Sequence, residues 1–170
     1  MTQAWEDAFD LFDMVIDKSL DCAEKVNLMY IPGNHDEMTG QTVFKALEKV
    51  YRNEDRLSID SRQKTFKASL LGHNFIGAAH GDKSKKAKYP MIYATSFSDL
   101  WGMDGVKTRE AFVGHLHHDL VGDLDGLYIR QAPTRSKTDQ YHEDNGFAGA
   151  HKRIILVEYD EYEPKTLYYI

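Results

Sequence analysis

Residues 111–118 read Ala-Phe-Val-Gly-His-Leu-His-His, and the fold is read outward from them. The short apolar run Phe112-Val113 has the character of the end of a buried strand. Gly114 lacks a Cβ and is placed to let the chain turn sharply. His115 and His117 follow, with one residue between them. In extended backbone, side chains at i and i+2 share a face. The spacing therefore predicts two imidazoles leaving a strand end side by side, placed to hold one metal ion or two neighbouring ones. A polar loop that happens to contain histidine is the competing reading, and two upstream segments of the same design weigh against it.

Those segments are Ile31-Pro32-Gly33-Asn34-His35-Asp36 and Ala79-His80-Gly81-Asp82. In each, an apolar strand pattern runs into a turn that carries metal-ligand side chains. Ligands at strand ends along one edge of a sheet converge on a common crevice. Imidazoles together with a side-chain amide suit Mn, Fe, Zn or Ni better than a closed structural zinc site, which prefers thiolates.

The rest of the chain supplies an α/β scaffold. Trp5, Phe9, Phe12, Ile16 and Leu20 recur at spacings of three and four and predict an amphipathic helix over 3–23. Val26–Ile31 reads as a buried strand, and residues 41–52 as a second helix with Val43, Phe44, Leu47 and Val50 inward. Strands follow at 57–59, 65–71 and 75–79, with Gly72-His73-Asn74 as a hairpin turn and His73 solvated on it. Lys83, Lys85, Lys86 and Lys88 read as a solvated loop; steering of a phosphate substrate is the alternative. Pro90 suits the first turn of a helix over 91–101, with Tyr93, Phe97 and Trp101 inward. Gly122, Asp123, Asp125 and Gly126 mark a turn before a strand at 127–131, and 133–150 reads as a long polar loop. Strands at 153–159 and 166–170 close the chain, their tyrosines read as strand packing.

Composition narrows the classes of function. At 170 residues the length fits one domain able to bury a real core. A net charge of −6 gives no general attraction for nucleic acid or anionic membrane, but suits a protein that gathers divalent cations. Cys22 is the only cysteine, which excludes an intrachain disulfide and fits a reducing, cytoplasmic setting. No apolar run approaches the length of a membrane span.

Gly-Asn-His-Asp at 33–36, His80 and Gly-His-Leu-His at 114–117, in that order, resemble the motifs of the calcineurin-like metallophosphoesterase family. Within it they look most like the nuclease-like and phage-type phosphoesterases. The resemblance covers residues 26 to about 131. It implies a β-sandwich flanked by helices (α/β/β/α), with two metals at the strand ends, manganese the expected ion. It also implies that Asn34, His80 and His115 bind the second metal and His117 the first. His35 would protonate the leaving oxygen or stabilise charge on the phosphate, and Asp36 would orient His35 through its other ring nitrogen. The substrate would be a phosphodiester or phosphomonoester, a nucleic acid among the possibilities.

The departure from that pattern is equally specific. The family opens with Asp-x-His on its first strand, followed by Gly-Asp whose carboxylate bridges both metals. Asp-x-His occurs nowhere in this chain, and Gly81-Asp82 and Gly122-Asp123 stand in the wrong order to replace the bridging motif. The chain thus looks like a member lacking its first strand–helix–strand portion. Fewer anionic ligands weaken a dication site. The expected consequences are one metal or none, a homo-oligomer or a partner that supplies the missing half, and doubtful activity. An inactive scaffold subunit, or half of a split enzyme, is the rival reading. His118 is a possible substitute ligand or a solvated loop residue, Asp82 and Asp119 are candidate supporting acids, and Arg135 and Lys137 are candidate phosphate contacts. His142 and His151 are expected to be exposed.

Overall fold

The computed structural model describes residues 2–133 and 152–170. They fall into two compact units, residues 1–65 and 66–170, each described here by itself. Arg135, Lys137, His142 and His151 lie outside the described residues.

The smaller unit is a helix followed by a β-α-β turn of chain. Helix α1 spans Thr2–Cys22 and strand β1 Val26–Met29. Helix α2 spans Glu37–Val50 and strand β2 Leu57–Asp60. β1 and β2 pair in parallel, Val26 opposite Leu57 and Met29 opposite Asp60, which a helical crossover of α2's length permits. Ile16, Val43 and Leu47 are buried at the centre, with Trp5, Phe9, Phe12 and Leu20 of α1 packed around them. The predicted stripe is thus the core face. The Tyr51 hydroxyl ties the end of α2 back to α1, 2.8 Å from the carboxylates of both Asp13 and Asp17.

Several boundaries here differ from the sequence reading, two of them beside the exposed turn at 34–36. β1 stops at Met29 rather than Ile31, and α2 begins at Glu37 rather than 41. The second difference has a packing cause. Gly40 reads as a helix breaker, yet a Cβ at that position would sit 2.7 Å from the Tyr30 ring. The glycine lets the first turn of α2 close over that buried tyrosine.

The larger unit is built on a five-stranded sheet in the order β3-β4-β5-β7-β6. Its strands are β3 (Phe66–Leu71), β4 (Asn74–Ala79), β5 (Thr108–Val113), β6 (Leu120–Leu124) and β7 (Leu127–Gln131). β4, β5 and β7 run parallel, and β3 and β6 flank them antiparallel. Two short helices, α3 (Tyr89–Ser96) and α4 (Ser98–Trp101), replace the single helix expected over 91–101; the backbone leaves the helical region at Phe97, φ −132°. Tyr89 and Tyr93 of α3 pack with Phe75, Ala79, Ala111, Val113, Leu127 and Ile129 as the core on one face of the sheet. Strand side chains alternate, so that face takes every second residue of β4, β5 and β7.

On the opposite face the alternation brings Glu110 and Arg130 together. Arg130 Nε donates to Glu110 Oε1 at 2.7 Å, both side chains being buried. The hydroxyl of Tyr159 donates to the other carboxylate oxygen. Tyr159 ends β8 (Ile155–Tyr159), which pairs antiparallel with β9 (Pro164–Tyr169). The hairpin is held at its turn as well: Asn74 Nδ2 donates to the Asp160 carbonyl at 2.9 Å, and the His73 N–H to that of Glu161 at 2.7 Å.

His73 stands on the turn of the sequence reading, but it is only partly solvated. Its ring stacks on Tyr162 at 5.1 Å, and its Nε2 lies 3.4 Å from the Glu161 carboxylate. Gly122 and Asp123 also depart from expectation: they lie within β6, and the turn is Asp125-Gly126, both left-handed at φ 49° and 83°. Two consecutive left-handed residues make the turn that matches strand twist in a two-residue hairpin. The fold is mixed α/β, with a multi-stranded sheet flanked by helices, as the sequence implied.

Candidate metal centre

Parallel strands end on the same edge, and β4, β5 and β7 end in register: Ala79 lies beside Val113, and Val113 beside Gln131. The next residues are His80, Gly114 and Ala132. The ladder continues one step past the strands, with Gly114 N–H donating to the His80 carbonyl at 2.9 Å and Ala132 N–H to that of Val113 at 2.7 Å. This continuation fixes where His80 and His115 stand. Their rings meet edge to face with centroids 5.0 Å apart, and His115 Nδ1 is 3.2 Å from His80 Nε2. Two residues 35 positions apart in sequence are thus brought together as their strand ends predicted.

The turn that carries His115 and His117 works differently from the sequence reading. The left-handed residues are the histidines themselves, His115 at φ 70° and His117 at φ 56°, and not Gly114. The backbone is not extended there, so the two imidazoles do not share a face by strand alternation. Leu116 N–H donates to the Gly114 carbonyl at 2.9 Å, which closes the tight turn between them. Non-glycine residues in this region cost about 1 kcal/mol or more each, and such strain collects at functional sites. Glycine is needed instead at Gly81, φ 112°, where a Cβ would lie 2.7 Å from a methyl of Val113.

The neighbouring polar groups are mostly engaged. His118 Nδ1 is 2.9 Å from the Leu116 carbonyl, which makes it a donor and leaves Nε2 as the ring's other nitrogen. Asp119 pairs with Arg153, whose guanidinium also lies 3.6 Å from the centroid of the Tyr169 ring. Asp82 pairs with Lys83 at 3.1 Å. Burial pushes the Asp82 carboxyl up, but hydrogen bonds from Lys83 and backbone and the nearby His80 outweigh this and hold it below its ordinary value.

In the smaller unit, Asn34, His35 and Asp36 form the exposed turn between β1 and α2. One carboxylate oxygen of Asp36 accepts the Gly33 N–H at 2.8 Å, and the Asp36 carbonyl accepts that of Gly40 at 2.7 Å. Asp36 thus closes the turn that presents His35.

The donors can be judged against a metal ion on their own geometry. A separation of 3.2 Å is that of two imidazole nitrogens sharing one ion at about 2.0–2.1 Å apiece. With one ring nitrogen protonated the contact is a hydrogen bond; with both unprotonated the spacing matches two positions of a single ion. Among the described residues no group of three or more His, Cys, Asp or Glu is arranged to hold one.

One further residue at this edge, Gln131, escaped the sequence reading. Gln131 is fully buried at the end of β7; its Nε2 donates to the His118 carbonyl at 2.7 Å, and its Oε1 accepts from Lys86. Gln131 stands in register with Val113 across a parallel pair, and that pairing, unlike a motif, has no local signature in sequence.

No protein-family model matches the chain, and no curated protein does. Among solved structures, a single-mutant form of Vps29 from Entamoeba histolytica aligns over 87% of this chain and 77% of its own, at 14% identity and a TM-score of 0.46. The double mutant of the same protein aligns over 92% and 80%, at 14% and 0.47. A conserved uncharacterized protein of Streptococcus pneumoniae, a predicted phosphoesterase, aligns over 85% and 97%, at 10% and 0.40.

Proposed function

We propose that the chain is a phosphoesterase-type protein that hydrolyses phosphate esters with a divalent ion held by His80 and His115. The observation that supports this most directly is the 3.2 Å approach of His80 Nε2 to His115 Nδ1 at the shared end of two parallel strands. Manganese, iron, zinc or nickel suits an imidazole pair. When bound, such an ion lowers the pKa of its water and draws charge from a phosphate oxygen.

The protein's own part is to orient and to supply protons. The ladder beyond β4 and β5 fixes the backbone at His80 and Gly114, which lowers the cost of organising the site. His35 is assigned the protonation of the leaving oxygen, with Asp36 holding the turn that presents it. Asn34 and His117 are assigned as further ligands.

The test is hydrolysis of an aryl phosphodiester in the presence of Mn²⁺, with the metal content of the protein measured alongside. His80→Ala and His115→Ala are each expected to lower metal affinity at least tenfold and to abolish hydrolysis, while His35→Ala keeps the metal and lowers kcat. Wild-type protein that holds Mn²⁺ and hydrolyses neither diesters nor monoesters would overturn the enzyme reading. It would favour a scaffold role instead.

A further inference from the structure

The basic run 83–88 does not stand in water as a whole. Lys85 and Lys88 are exposed, and Lys83 is paired with Asp82. Lys86 alone turns toward the sheet, where its ammonium donates to the carboxamide oxygen of Gln131. The nitrogen of the same carboxamide donates to the His118 carbonyl at 2.7 Å. One buried amide therefore couples the ammonium to the loop that carries His115 and His117.

The electrostatics of this contact are unusual for a lysine. Its partner is neutral, and no carboxylate pairs with it among the described residues. Burial alone lowers its pKa. Taking a cation partly out of water without a counter-charge costs stability, and an ammonium carries three N–H donors, of which Gln131 takes one. An anion arriving at this edge would place a counter-charge beside a cation whose partner among the described residues is a neutral amide, and would accept N–H donors from it, as phosphate oxygens commonly do from a compact ammonium. Gln131 ends β7 in register with Val113, the strand end next to the His80–His115 pair, so such an anion would be met at the edge where the imidazoles stand.

We propose that Lys86 is a phosphate-anchoring residue, its ammonium held to the histidine loop through Gln131 and donating to a non-bridging oxygen of a phosphate ester. This rests on the phosphoesterase reading for its substrate class, but it concerns anion binding and can be measured without turnover.

The experiment titrates inorganic phosphate into the full chain and follows the phosphorus resonance, for wild type, Lys86→Met and Lys86→Arg, with circular dichroism confirming that each is folded. The methionine variant is expected to bind phosphate about tenfold to a hundredfold more weakly, and the arginine variant, which keeps the charge, to retain most of the affinity. Equal phosphate affinity in wild type and the methionine variant overturns the assignment, as does folded wild type whose dissociation constant is weaker than about 10 mM. Lys86-dependent phosphate binding without Mn²⁺-dependent hydrolysis would leave the anchor standing and sink the enzyme reading. Hydrolysis with an unchanged KM in the methionine variant would do the reverse.

Discussion

His115 holds a conformation that glycine would hold more cheaply. At φ 70° its backbone strain is accepted for the sake of an imidazole that reaches His80. His115→Gly is therefore expected to leave stability unchanged or raise it by up to about 1 kcal/mol while removing the nitrogen pair. Urea midpoints and Mn²⁺ binding, measured on the same variant, would show the two quantities moving apart. A parallel loss of both would mean that the ring itself holds the loop. Gly81→Ala presents the opposite case. Its φ of 112° and the Val113 methyl 2.7 Å from the added carbon predict a loss of about 1–3 kcal/mol, read as a lower melting temperature.

The strands and helices were legible from periodicity because their inward faces are regular: Phe75, Gly77 and Ala79 alternate on β4, and the α1 stripe lies on one side. The strand-end histidines were legible because each follows a strand signal directly. What escaped the sequence was everything set by register between distant segments. Glu110, Arg130 and Tyr159 meet only once β5, β7 and β8 are placed. The partner of Lys86 is likewise fixed by where β7 ends. The inner network is open to test by substitution. Tyr159→Phe should cost about 1–3 kcal/mol, since it leaves a buried carboxylate oxygen without its donor. Glu110→Ala should cost about 3–5 kcal/mol, because Arg130 is then buried without a counter-ion. Chemical denaturation separates the two.

Helix α2 carries a pH-dependent contact in the smaller unit. Burial pushes the Glu48 carboxyl up, but hydrogen bonds from Ser61 and Lys45 outweigh it and lower its pKa from the ordinary 4.5. A lowered folded-state pKa gives stability that is present above 4.5 and is lost as the pH falls through the folded value. Glu48→Gln should therefore melt below wild type at pH 7, with the gap narrowing once the pH falls below about 4.5. A gap that stays constant down to pH 3 would remove the carboxylate as its cause.

Each of the two compact units has a core of its own, one centred on Leu47 and the other on Phe75 and Tyr93. Leu47→Ala, at a fully buried position, should cost about 2–5 kcal/mol. Hydrogen exchange should then quicken in α1, α2 and β1 well before β4 and β5. Uniform loss of protection would mean one cooperative unit. In the larger unit all the chemistry-bearing groups stand where β4, β5 and β7 end. The Asp125-Gly126 hairpin lies where β7 begins, with open space about Gly126. A fluorophore or a short affinity tag spliced in there would emerge from the opposite rim. The protein could then be immobilised or imaged with the His80–His115 edge facing the solution.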